Sequence, residues 1–116
     1  MTIKDFYESA LGDYTEAINC LGKEERIYKY LKKFPAMQNA ALIKEALQRE
    51  DYDTAFREAH NLKGMSMNMA LTKLHEVSSN LTESLRNGPK GDVWGLFESA
   101  EAEYVRVCTL IERVEM

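Results

Sequence analysis

The residues of this chain best suited to chemistry lie in the run His60–Gly64, which reads His-Asn-Leu-Lys-Gly. A neutral imidazole such as that of His60 is a good nucleophile for phosphorus. Lys63 follows it by one helical turn, where an ammonium group can neutralise part of the charge of a phosphoryl group on the ring. Gly64, on the same turn, has no side chain that would shield the ring from a donor or an acceptor. These residue types at this spacing indicate phosphoryl transfer.

Helical geometry places His60 away from the face that packs. Successive residues of an α-helix are about 100° apart, so one face of a helix over residues 53–69 is a narrow sector of roughly 80° with only apolar or small residues. Its members are Ala55, Ala59, Leu62, Ser66 and Met69. His60 lies outside this sector, and its spatial neighbours are Phe56, Arg57, Lys63, Gly64 and Met67. We therefore expect the side bearing His60 to be exposed and open to a second protein, with Phe56, Arg57 and Met67 as docking residues.

Length and composition indicate a single soluble domain over residues 1–116. With 116 residues, 45% of them hydrophobic, the chain can bury one compact core. No apolar run approaches the roughly 18–20 residues of a membrane span, and the N-terminus MTIKDFYESA lacks a signal region. We therefore expect a cytoplasmic protein with no membrane partner. The formal net charge of −4 argues against nucleic acid as the main partner.

Other chemistries find little support in the sequence. Neither His60 nor His75 has an Asp, Glu, His or Cys three or four residues away, so no helical metal site is predicted. No Gly-x-Ser-x-Gly turn occurs, and no glycine-rich loop could hold a nucleotide. Cys20 and Cys108 lack metal-ligand spacing and are interpreted as reduced core thiols. His75, with no lysine or glycine one turn later, is interpreted as a histidine without chemistry.

Helical periodicity runs through the whole chain, and no alternating strand pattern occurs. Gly22 ends a first helical stripe, and the run Asn87–Pro89 is a strong stop. Pro35 lies inside a long helical region over residues 24–49, which is therefore either kinked or split in two. Candidate capping residues are Thr2 with Asp5, the aspartates of residues 50–53, and Asp92. These patterns predict an all-α fold built as a single up-down helical bundle.

The segment around His60 resembles the signature of histidine-phosphotransfer (HPt) domains of multistep phosphorelays. The residues that carry this resemblance are Ala59, the run His60–Gly64, Asn68, Leu71 and Leu74. Outside that segment, similar residues are the run Leu21–Glu25, Leu31, Phe34, Pro35, Leu42, Ala46, Asp51, Phe56, Leu81 and Glu83. The resemblance covers nearly the whole chain, from about residue 13 to residue 114. It implies an antiparallel up-down four-helix bundle with one or two short additional N-terminal helices.

The resemblance implies a phosphocarrier without its own complete catalytic site, rather than an enzyme. His60 would accept a phosphoryl group from an aspartyl-phosphate of a receiver domain and pass it to another receiver. Lys63 would support the phosphohistidine, and Gly64 would give access to it. No cofactor of its own is implied, since the catalytic aspartate and Mg²⁺ belong to the partner receiver. The implied partners are response-regulator receiver domains and a sensor histidine kinase, which can be a hybrid, and we expect a monomer.

Two positions depart from the family pattern, which commonly has glycine where this chain has Met67 and Ala70. Met67 falls about 20° from His60 on the same helix face. A flexible thioether there enlarges the apolar contact with a receiver or narrows the range of partners. The alternative function is a degenerate, non-phosphorylated helical module that binds receivers or a kinase, and the presence of His60 favours the phosphocarrier. A third hypothesis, a domain excised from a hybrid kinase, is disfavoured by Met1.

Overall fold

The computed structural model describes residues 1–116 and contains helices but no strands. The all-α class predicted from the sequence is therefore confirmed. The elements, in chain order, are α1 Ile3–Ser9, α2 Tyr14–Leu21, α3 Glu24–Lys33, a 3₁₀ turn Pro35–Met37, α4 Asn39–Gln48, α5 Tyr52–Asn68, α6 Thr72–Leu85 and α7 Val93–Glu112. None of these helices combines the length and the apolar character needed to cross a membrane.

Helices α4 to α7 pack side by side around the core. Helix α5 lies between α4 and α6, while α7 contacts α6 and returns to α4. Helices α1 and α3 contact α7 and each other. The buried apolar side chains form one cluster through all of these elements. Helix α5, which bears His60, is thus held by a packed neighbour on each side.

Three α-helices precede α4, so the expectation of one or two short N-terminal helices is wrong. Three breaks in the helical chain explain the number. Leu11 has φ of 55° between α1 and α2, and Gly22 has φ of 90° after α2, and neither value is compatible with a continuing helix. The third break lies at Pro35.

Pro35 splits the long helical region of the sequence into two helices instead of kinking it. Helix α3 ends at Lys33, and Pro35 is the first residue of the 3₁₀ turn. Gln38 then takes a left-handed conformation, with φ of 54°, before α4 begins at Asn39. The change of direction brings the 3₁₀ turn and the start of α4 beside α5.

Aspartate and threonine caps fix the starts of four helices, among them α2, where Asp13 accepts from the amide of Glu16 at 3.0 Å. The hydroxyl of Thr2 accepts a hydrogen bond from the backbone amide three residues later at 3.1 Å, and Asp92 does the same at 2.9 Å. Of the two aspartates in residues 50–53, Asp51 caps α5, accepting from the amide of Thr54 at 3.2 Å. The start of the helix that bears His60 is therefore set by a side-chain cap.

The packing face of α5 is the one that the sequence predicted. Ala55, Ala59, Leu62 and Ser66 are buried in α5, as is Met69 just after it. The small side chains in this group let α6 approach closely. The buried hydroxyl of Ser66 donates to the carbonyl of Leu62 at 2.7 Å, so the polar atom in this face has a partner.

The prediction that both cysteines are core thiols is wrong. Cys20 is exposed and Cys108 is half-buried. Cys20 lies on the outer side of α2, where its thiol donates to a carboxylate oxygen of Glu16 at 3.3 Å. The short helix α2 buries only Ala17 completely, which leaves the position of Cys20 outside the core.

Candidate functional site

His60 lies in the middle of α5 on the side opposite the core. Its neighbours Ala59 and Leu62 are 0% and 1% exposed, whereas His60 itself is exposed. Seventeen residues of unbroken helix, Tyr52–Asn68, hold its backbone. The imidazole is therefore presented to the surroundings from a rigid element.

Phe56, one turn before His60, lies against the imidazole. The two ring centroids are 6.0 Å apart and the ring planes are inclined by 14°, a stacked arrangement. The guanidinium carbon of Arg86, the residue that directly follows α6, lies 5.2 Å from the centroid of the Phe56 ring. Phe56 is thus in contact with the imidazole and with a cation from the next helix.

Lys63 lies one turn after His60, and its ammonium group is paired with Glu83 on α6. The distance from Lys63 Nζ to Glu83 Oε1 is 3.9 Å. The Glu83 carboxylate also accepts two hydrogen bonds from Arg86, from Nε at 3.1 Å and from Nη2 at 3.0 Å. The hydrogen-bonded guanidinium, with a smaller contribution from Lys63, holds the pKa of Glu83 below its usual value. Glu83 thus stays ionised at neutral pH, with two cations in contact.

Gly64 leaves open space beside His60. A Cβ atom at this position would have no atom within 4 Å other than the helix's own backbone. Gly64 and His60 line one groove of about 450 Å³ between α5 and the segment that precedes it. The other lining residues are Met37, Asn39, Glu58, Asn61, Met65 and Asn68. The imidazole is accessible from this groove.

The predicted docking residues are all at least partly accessible. Phe56 is half-buried, Arg57 is exposed, and Met67 is 58% exposed. The Arg57 guanidinium donates a hydrogen bond to the hydroxyl of Thr54 at 3.3 Å, one turn towards the start of the helix. Together with His60 and Gly64, these three residues define the surface that we call the His60 face.

His75 is separate from this site. It is half-buried on α6 and does not line the groove at His60. No group of three or more His, Cys, Asp or Glu side chains in the chain could hold a metal ion.

Sequence reasoning missed Arg86 and Asn39. Arg86 follows Glu83 by three residues, a spacing that suggests an ion pair but does not reveal that the pair lies beside His60. Asn39 begins α4 and is 4% exposed, and its side-chain oxygen has no hydrogen-bond partner. Only the packing of α4 and α6 against α5 brings these residues to the site.

A comparison with protein families gives a match that includes the helix bearing His60. The family model described as the Hpt domain matches residues 36–116, which is more than half of the sequence. The chain belongs to the Hpt domain family. The resemblance seen in the sequence is therefore confirmed over residues 36–116, whereas the similar residues between 21 and 35 lie before the matched region. Neither the curated proteins nor the solved structures gave a match.

Membership assigns the chain to a class of function. Hpt domains are phosphocarrier modules of phosphorelays, rather than enzymes, and they act together with receiver domains and kinases. The matched region contains α4 to α7 and with them His60, Lys63, Glu83 and Arg86. Helices α1 to α3 precede the matched region.

Proposed function

We propose that this Hpt domain is a phosphocarrier that accepts a phosphoryl group on His60 from the aspartyl-phosphate of one receiver domain and passes it to another. The observation that carries the proposal is the exposed imidazole in the middle of α5, stacked on Phe56 and open towards Gly64. This arrangement orients the ring on one side and admits a reactant on the other.

The proposed transfer is a substitution at phosphorus. The lone pair of His60 Nε2 forms the new P–N bond, while the P–O bond to the aspartate breaks and its electron pair leaves on the carboxylate. The ring enters with its proton on Nδ1 and keeps it, so it becomes positively charged while bearing a dianionic phosphoryl group. Transfer to the second receiver reverses these bond changes. Nε2 is the reacting nitrogen because it is farther from the backbone and less hindered.

The receiver supplies what the Hpt domain lacks in this scheme. The catalytic aspartate and Mg²⁺ belong to the receiver, so the domain needs no cofactor of its own. Lys63 partly neutralises the phosphoryl group. A unit-charge pair at about 4 Å contributes roughly 1 kcal/mol in water and up to about 4 kcal/mol at an intermediate effective dielectric constant. This contribution stabilises the phosphohistidine but does not create the reaction.

The receiver docks on the His60 face in this proposal, with Phe56, Arg57 and Met67 around the reactive ring. A sensor kinase, hybrid or not, stands upstream of that receiver. The scaffold is an antiparallel up-down four-helix bundle of α4 to α7, supported by their ring of contacts and by short connections that favour antiparallel neighbours. The proposal also includes a monomeric, cytoplasmic protein acting as one domain over residues 1–116.

The experiment is transfer of labelled phosphate from a panel of phosphorylated receiver domains. We expect a label on the Hpt domain that is labile in acid and stable in base, as for a phosphohistidine. His60→Gln should abolish it with an unchanged helical circular dichroism signal. His75→Gln is the matched control and should be labelled like the wild type.

Two results would contradict the proposal. Persistent labelling of His60→Gln, or loss of label in His75→Gln, would place the acceptor elsewhere. Binding of receivers to the wild type without any labelling would instead identify a non-phosphorylated interaction module.

A further inference from the structure

The charged side chains beside His60 differ in how firmly they are held. Arg86 makes two hydrogen bonds to the Glu83 carboxylate, at 3.0 and 3.1 Å. Lys63 makes one looser contact with the same carboxylate, at 3.9 Å. Bidentate guanidinium pairs are geometrically fixed, whereas a lysine ammonium is a mobile point charge on a flexible stem. Lys63 is therefore the cation that can change partner.

We propose that Glu83 is the partner of Lys63 while His60 is unmodified, holding the ammonium group one turn from the ring and releasing it to the phosphoryl group when the ring is phosphorylated. Glu83 is then a positioning residue that acts through Lys63, not a group that contacts the reacting atoms. The inference rests on the proposed function of His60 as the phosphoryl acceptor.

The charges of the cluster support this exchange. In the unmodified protein one carboxylate, that of Glu83, faces two cations, Lys63 and Arg86. A phosphoryl group on His60 adds two negative charges next to a ring that has become positive. Lys63, which lies one turn from His60, can then turn from the carboxylate to the phosphoryl group while Arg86 keeps its two hydrogen bonds to Glu83.

Glu83 should lower the stability of the phosphohistidine. It competes with the phosphoryl group for Lys63, whereas direct repulsion between the two anions is the smaller effect, because Arg86 keeps its two hydrogen bonds to the Glu83 carboxylate. Both effects destabilise the phosphohistidine. Both therefore favour onward transfer over storage of the phosphoryl group. Replacing the carboxylate with the isosteric amide of glutamine removes both effects and keeps the shape of the side chain.

Glu83 can also affect the imidazole indirectly, through the contact of Arg86 with Phe56. Arg86 lies 5.2 Å from the Phe56 centroid, and Phe56 stacks on His60. Loss of the Glu83 carboxylate could therefore alter the orientation of the imidazole instead of its electrostatics. An effect on ring orientation would not depend on Lys63. Variants with and without Lys63 therefore separate it from the electrostatic effect.

The test measures the lifetime of phosphohistidine in full-length protein phosphorylated with phosphoramidate, a small chemical donor that needs no receiver. Five proteins are compared: wild type, Glu83→Gln, Lys63→Ala, the double variant of these two, and a control variant at Glu103. A second measurement is the equilibrium distribution of label between each protein and one phosphorylated receiver.

We expect Glu83→Gln to lengthen the lifetime and to shift the equilibrium towards the Hpt domain, each by about three- to tenfold. In the Lys63→Ala background, most of this change should disappear, as a double-mutant cycle requires for coupled residues. Glu103→Gln is the matched control, because Glu103 on α7 pairs with Arg106 three residues later, just as Glu83 pairs with Arg86 at the end of α6. This control should leave lifetime and equilibrium unchanged.

The outcomes separate this inference from the proposed function. A wild-type protein that neither phosphoramidate nor a receiver can label at His60 would overturn both. Normal labelling with an unchanged or shortened lifetime in Glu83→Gln would overturn the inference alone. An equal effect of Glu83→Gln with and without Lys63, or an equal effect of Glu103→Gln, would also reject it.

Discussion

His60 has a supporting ring on one side and an open groove on the other, and two single residues create this difference. Phe56 stacks against the imidazole at a centroid distance of 6.0 Å. Gly64 contributes no side chain, and a Cβ there would meet no other atom within 4 Å. A side chain at position 64 would therefore fit the fold but occupy the space through which, in the proposed transfer, a receiver's phosphoryl group would reach the ring.

Gly64→Gln is expected to separate stability from transfer. The melting temperature should stay the same or rise slightly, because glycine is roughly 1 kcal/mol less favourable than alanine inside a helix. The rate of transfer from a phosphorylated receiver should fall by about a hundredfold, because the side chain obstructs in-line approach to the imidazole. Thermal unfolding and transfer kinetics measure the two effects.

Met67→Gly is the companion variant for that experiment. Met67 lies further along the same exposed face, and the substitution restores the residue common in the family. We therefore expect a smaller effect on the transfer rate than for Gly64→Gln, and a broader range of accepted receivers. Transfer by Gly64→Gln at the wild-type rate would show that receivers dock elsewhere.

At the scale of elements, the connection between α5 and α6 contains a residue that departs from the family pattern. Ala70, at a position where the family commonly has glycine, has φ of 55°. This left-handed conformation costs a residue with a Cβ roughly 1–2 kcal/mol. Ala70 is also 7% exposed, and its carbonyl accepts a hydrogen bond from the amide of Asp13 at 2.9 Å. The tight turn is thus kept with a strained residue.

Ala70→Gly should raise the free energy of unfolding by about 0.5–1 kcal/mol, since glycine relieves the strain but loses more entropy on folding. Urea denaturation measures the change. Ala59→Gly, at a fully buried position within α5, is the control and should lower stability, because glycine there weakens the helix and removes a packed methyl group. A decrease in stability for Ala70→Gly would mean that the methyl group of Ala70 contributes more than its backbone costs.

On the scale of the whole molecule, the segment before the matched family region is tied to the turn between α5 and α6. The buried hydroxyl of Tyr7 donates to the carbonyl of Met69 at 2.7 Å. Gly12 lies at the closest approach of the two segments, where a Cβ would be 2.7 Å from a Tyr7 ring carbon and 2.8 Å from the carbonyl oxygen of Ala70. Helix α1 and the connection that follows it thus brace the C-terminal end of the helix that bears His60.

Gly12→Ala should lower the free energy of unfolding by about 1–3 kcal/mol, because one methyl group overfills this contact and a backbone carbonyl cannot move as easily as a side-chain tip. Chemical denaturation measures the loss. Gly64→Ala makes the same chemical change in open space and should be neutral or stabilising. Equal stability of the two variants would show that α1 and α2 are packed more loosely than these distances imply.

Local patterns in the sequence were sufficient to predict the helices and the candidate acceptor. The buried face of α5 follows from side-chain periodicity, and the caps at Thr2, Asp51 and Asp92 depend only on residues three positions apart. The exposed position of His60 follows from the same periodicity. The number of N-terminal helices was less predictable, because a proline permits either a kink or a break and the surrounding packing selects one.

The surroundings of His60 were decided by tertiary structure. Glu83 and Arg86 are twenty or more residues away in the sequence, and their spacing on α6 occurs on many helices that have no site. They reach Lys63 and Phe56 only through the register in which α6 packs against the small residues of α5. That register depends on how the buried side chains of two helices interlock, which no pattern within one helix specifies. The sequence alone therefore identified the candidate acceptor, and the tertiary structure determined which charges lie beside it.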